Sequence, residues 1–60
     1  MAGLTDRQQR FVEEYLLDNN ATQAAIRAGY KASTAGKVGP RTLNSPLVAK
    51  AVAEAQARRR

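Results

Sequence analysis

Twelve of the sixty residues are alanine, and from Ala21 onward they recur too closely for strand alternation to develop. Alanine is the strongest helix former and fills little space, so a chain this rich in it folds as closely packed helices. The larger apolar set is Leu4, Phe11, Val12, Tyr15, Leu16, Leu17, Ile26, Tyr30, Val38, Leu43, Leu47, Val48 and Val52. That is enough for one core, and sixty residues are enough for one small domain, 1–60, which buries only about 60% of its unfolded surface. There is no cysteine to supply a disulfide or a thiolate metal cage. There is no histidine either, which removes the commonest general base and metal ligand and every Ser-His or Cys-His pair. No nucleophile has a base beside it, and Glu14 and Asp18, four apart, read as a solvated helix face. The expectation is no enzyme, no catalytic residue, no cofactor and no metal. The longest apolar runs are three residues, so no transmembrane helix or signal-peptide core is expected, and no membrane partner. The expected class is all-α.

The formal charge of +5 is unevenly distributed. Residues 1–20 carry Arg7 and Arg10 against Asp6, Glu13, Glu14 and Asp18, a net of −2. Residues 21–60 carry eight Lys or Arg against Glu54, a net of +7. A positive charge gathered into the last two thirds of a chain is what a polyanion-binding face requires.

Local signals divide the chain into about four helices, near 6–18, 21–28, 33–44 and 46–57. Thr5 and Gln8 have capping-box spacing, Asp6 suits the first turn, and Phe11, Val12, Tyr15 and Leu16 form one apolar stripe. Asn20 can cap the second helix, and Gly29 stands where a left-handed C-cap is wanted. In the third, Ser33 or Thr34 can serve as cap, and Gly36, Gly39 and Pro40 predict a kink or restart around Gly39–Pro40. Ser45 followed by Pro46 at the first helical position opens the fourth, which should fray over Arg58, Arg59 and Arg60. The expected core is Phe11, Val12, Tyr15, Leu16, Ile26, Tyr30, Val38, Leu43, Val48 and Val52.

Residues 21–38 match a helix-turn-helix. Such a unit needs a small residue in its first helix, a residue tolerant of left-handed backbone at the turn, and apolar residues locking the two helices together. Ala25 and Gly29 fill the first two roles, and Ala24, Ala28, Tyr30, Ala35 and Val38 the third. The second helix of such a pair enters the DNA major groove. Its exposed positions would be Lys31, Ser33, Thr34, Lys37 and Arg41, where cations can donate to guanine and hydroxyls to a base or phosphate. Thr22 and Gln23, with the free amides at the preceding helix's start, suit a phosphate. Arg27 has two readings, a phosphate contact or an internal pair with the acidic first helix.

Two longer runs carry a family resemblance. Leu4-Thr5-Asp6-Arg7-Gln8-Gln9-Arg10-Phe11-Val12-Glu13-Glu14-Tyr15-Leu16 and Asn20-Ala21-Thr22-Gln23-Ala24-Ala25-Ile26-Arg27-Ala28-Gly29-Tyr30 resemble the opening of bacteriophage terminase small subunits. Gly39-Pro40-Arg41-Thr42-Leu43 and Asn44-Ser45-Pro46-Leu47-Val48 fit the same family, so the similarity spans residues 4 to 55. Family members often carry Ser-Pro where Lys31-Ala32 stands, and a basic residue where Gly36 stands. The resemblance implies an N-terminal helix-turn-helix domain of a longer protein, recognising double-stranded viral DNA at the packaging initiation site in the host cytoplasm. It also implies a terminase large subunit partner, with ATPase and nuclease activities, bound through a region outside these sixty residues. It implies a homo-oligomeric ring built by a separate central domain, with this fragment monomeric. Two other readings remain open: a transcriptional repressor or recombinase DNA-binding domain, and a helical protein-interaction module working through its alanine-rich face.

Overall fold

The first two helices begin and end where their boundary residues satisfy the free backbone groups of a helix terminus. The computed structural model describes residues 3–58, and among these it forms four helices: α1 (Asp6–Asp18), α2 (Ala21–Arg27), α3 (Ala32–Leu43) and α4 (Pro46–Arg58). The capping box on α1 is complete. The Gln8 amide donates to Thr5 Oγ1 at 3.1 Å, and the Thr5 amide donates to Gln8 Oε1 at 3.0 Å. Asn19 ends α1 in the left-handed region at φ 56°, and its amide donates to the Tyr15 carbonyl at 2.7 Å. Asn20 then caps α2, accepting from the Gln23 amide at 3.0 Å. Two adjacent asparagines thus close one helix and open the next. Pro46 takes the first position of α4 as expected. The expected fraying at Arg59 and Arg60 lies outside the described residues.

The end of α2 is a Schellman motif. The Tyr30 amide reaches back to the Ala25 carbonyl at 3.0 Å, the Gly29 amide reaches Ile26 at 3.1 Å, and Gly29 has φ +107°. The nearest atom to a Cβ added at Gly29 would be Arg7 Nε, 3.8 Å away, so backbone conformation and not space reserves the position for glycine. Gly29→Val is therefore expected to destabilise the domain by about 2 kcal/mol, exceeding the gain of under about 1 kcal/mol from a stiffer unfolded chain. A thermal melt followed by circular dichroism measures this, and an unchanged melt would show that the turn tolerates a side chain.

Two expectations for α3 need correction. The helix runs unbroken from Ala32 to Leu43 with Pro40 inside it, and it does not restart at Gly39–Pro40. Ser33 and Thr34 do not cap it. Lys31 is the N-cap residue and makes no side-chain cap bond, while Thr34 Oγ1 donates to the Lys31 carbonyl at 3.1 Å from within the first turn. The continuity has a packing cause. Ala35, Gly39 and Thr42 are all buried, and they succeed one another at the four- and three-residue steps of a single helical face. A Cβ on Gly39 would lie 2.6 Å from the Ala21 carbonyl oxygen and 2.8 Å from its carbon, so α3 crosses the start of α2 backbone against backbone. That tight crossing outweighs the weak helix propensity of two glycines and a proline.

The core is built from Phe11, Val12, Ala24, Ala25, Ala35, Val48 and Val52. Tyr15, Leu16, Ile26, Tyr30 and Leu43, expected in the centre, are partly buried and pack against it. Val38 is half-buried. Alanines hold the α2–α3 side of the core because close crossings leave no room for larger groups, while Phe11 and Val48 fill the wider space.

Candidate nucleic-acid interface

The helix-turn-helix unit consists of α2, the connection 28–31 and α3. Burying Ala35, Gly39 and Thr42 forces the opposite side of α3 outward. Ser33, Thr34, Lys37 and Arg41 are all exposed, as is Lys31 at the helix entrance. Ser33, Lys37 and Arg41 follow one another four residues apart and therefore share a stripe. Among the described residues, Lys31, Lys37 and Arg41 have no carboxylate partner. Their charge is available to an external anion. Gly36 adds a place with no neighbouring atom within 4 Å of a would-be Cβ, so the helix backbone itself is accessible there.

The start of α2 lies beside the middle of α3. Thr22 is half-buried, and its amide nitrogen is 3.1 Å from the position of a Gly39 Cβ. Gln23 is exposed, but its backbone amide is not the free donor expected at a helix start, because the Asn20 side chain accepts from it. Side chains, more than free amides, are what this end of α2 presents.

Arg27 points the other way. Its Nη1 is 3.1 Å from Asp18 Oδ2 and its Nε is 3.9 Å from Glu14 Oε1, and Glu14 also accepts from Arg10 Nε at 2.9 Å. Of the two roles open to Arg27, the structure contains the internal pair. The network ties α1 to α2 across a partly exposed surface, where each pair is worth about 0.2–1 kcal/mol. Glu14, expected on the solvated side, has a side chain only 16% exposed.

Arg7 belongs by sequence to the acidic first helix, yet it meets the turn of the helix-turn-helix. Its guanidinium carbon lies 5.2 Å from the centroid of the Tyr30 ring, across the fold and beside Gly29. No spacing rule reveals such a contact, since the partners are far apart in sequence and meet only when α1 and α2 lie side by side.

A separate cleft of about 460 Å³ runs between α1 and α4, lined by Leu4, Val12, Leu16, Ala51 and Ala55, with Gln9, Glu13, Glu54 and Arg58 as its polar residues. Neither carboxylate has an ion-pair partner among the described residues. No group of histidine, cysteine or carboxylate side chains among the described residues could hold a metal ion. No helix among them is long and apolar enough to cross a membrane.

Comparison with known proteins decides the family. The model of the terminase small subunit family matches residues 4–60. The chain belongs to the terminase small subunit family. Two phage terminase small subunits, from Bacillus phage SF6 and Bacillus phage rho15, are each 46% identical to it over 46 residues. That match covers 75% of this chain and 32% of each relative, so the chain spans about a third of the length of the curated terminase subunits it matches. No solved structure is a significant match. The family model takes in all four helices, so the helix-turn-helix and the α1–α4 cleft both belong to the terminase-like region.

Proposed function

We propose that this chain is the DNA-binding domain of a terminase small subunit, which marks viral double-stranded DNA for packaging by a large ATPase and nuclease subunit. The observation that carries the reading is the exposed side of α3. Lys31, Lys37 and Arg41 stand there with no carboxylate partner among the described residues, and Ser33 and Thr34 lie between them. The first helix of the unit, α2, lies against α3 with Thr22 at the crossing, which suits α3 to the major groove and Thr22 and Gln23 to the flanking backbone. The domain's role is recognition and not catalysis, with no cofactor. Homo-oligomerisation and large-subunit binding belong to the rest of the protein, in the host cytoplasm, and the isolated domain is monomeric.

A single small domain that touches a few phosphates should bind duplex with micromolar or poorer affinity at physiological salt, with log K falling linearly as log salt rises. Tethering several copies in one oligomer would restore tight binding through effective concentration. Lys37→Ala and Arg41→Ala are expected to weaken duplex binding without moving the melting temperature. Removing one phosphate-binding cation should lower the salt slope by about one. Chemical-shift mapping with a labelled duplex tests the face as well as the affinity. Perturbations confined to residues 13–18 and the α4 side of the cleft would overturn the reading in favour of a protein-interaction module.

A further inference from the structure

We propose that Arg7 is a phosphate-contacting residue of the duplex interface, held in position by the Tyr30 ring. The inference rests on the reading of α3 as the duplex-facing helix. Helices α1 and α2 carry Arg7, Arg10 and Arg27, and two of these arginines are internally engaged. Arg10 pairs with Glu14, and Arg27 pairs with Asp18 and Glu14. Arg7 is exposed and has no carboxylate partner among the described residues.

An unpaired surface arginine ordinarily spreads over many rotamers, and localising it at a ligand costs that freedom. Here the guanidinium already sits over an aromatic face, 5.2 Å from the Tyr30 centroid. The ring contact narrows where the guanidinium can lie, and with no carboxylate partner among the described residues its N–H donors are left for two phosphate oxygens. Its location is equally specific. Tyr30 immediately precedes Lys31, which opens α3, and Gly29 offers no side chain against Arg7 Nε. Arg7 therefore adds a cation beside the turn that leads into α3, from a helix whose sequence is otherwise acidic. The ligand is a phosphodiester of the duplex backbone, so the residue contributes affinity and register and carries no base preference.

The test is fluorescence anisotropy of a labelled duplex titrated with the sixty-residue chain at several salt concentrations, with a thermal melt of each variant. Arg7→Ala should weaken binding severalfold and lower the salt slope by about one. Arg10→Ala, which removes the same charge one turn along the same helix, should change neither by a comparable amount. Tyr30→Phe should keep wild-type binding, while Tyr30→Leu should forfeit a large part of what Arg7→Ala does. Equal losses in Arg7→Ala and Arg10→Ala would reduce the effect to net charge and overturn the proposal. Wild-type affinity in Arg7→Ala, with weakened binding in Lys37→Ala, would also overturn it and leave the α3 reading intact. Wild-type affinity in both variants would overturn the α3 reading and this inference together.

Discussion

Gly39→Ala is expected to lower the melting temperature of the domain by about 10–20 °C, although alanine is the better helix former. In an open helix the substitution would gain about 0.5–1 kcal/mol. At Gly39 the added carbon would sit 2.6 Å from the Ala21 carbonyl oxygen and 3.1 Å from the Thr22 amide nitrogen, both backbone atoms that no rotamer change can move aside. The helices must separate, and with them Ala24, Ala25 and Ala35, which have no length with which to fill a widened gap. Overpacking of this kind costs about 1–3 kcal/mol and sometimes more. The total stability of a domain this size is about 3–5 kcal/mol. Gly36→Ala is the matched control, since a Cβ there meets nothing within 4 Å. It should raise the melting temperature by a few degrees, about 4–8 °C per kcal/mol. Equal melting temperatures for the two variants would show that α2 and α3 do not cross at Gly39.

Phe11→Ala should be comparably severe by the opposite route, a void. Phe11 is completely buried, and its ring stacks on Tyr15 with centroids 6.1 Å apart. The other buried residues of the core are valines and alanines, too short to close the space it leaves. The expected loss is about 3–5 kcal/mol, comparable to the whole stability of the domain. Leu17→Ala on the same helix removes an apolar side chain that is 69% exposed, and should leave the melt nearly unchanged. Denaturant unfolding of the two variants makes the comparison, and a cooperative, wild-type transition in Phe11→Ala would remove Phe11 from the core.

The helix boundaries are legible in the sequence because caps are local. Thr5 with Gln8, Asn20 with Gln23, Gly29 and Pro46 each act within one turn of the chain, and the structure uses all four. Features that depend on distant neighbours are less legible. Gly39 looks like a helix breaker when judged by propensity, and its role exists only because α2 lies against it. The small residues at 35 and 39 and the threonine at 42 do repeat at helical spacing, and that pattern is the available signal for a close crossing. Large apolar residues are expected to fill a centre, whereas alanines occupy much of this one, because interhelical distance and not side-chain size decides what fits. Of the proposed interface residues, exposure on α3 follows from periodicity. The internal pairing of Arg27 and the stacking of Arg7 on Tyr30 depend on how α1 lies beside α2, which no single helix encodes.

The unequal charge of α1 and α3 has a consequence at a distance. Helix α1 carries Asp6, Glu13, Glu14 and Asp18 against Arg7 and Arg10, while Lys31, Lys37 and Arg41 stand at the start of or on α3, which holds no acidic residue. Charge separated in this way gives the domain a permanent electric dipole. In the field of a polyanion such a body rotates before it collides, so orientation is selected during approach and not by repeated unsuccessful encounters. The benefit lies in the association rate, and it fades as added salt shortens the Debye length below the domain's own width, about 10 Å at 0.1 M and 3 Å at 1 M.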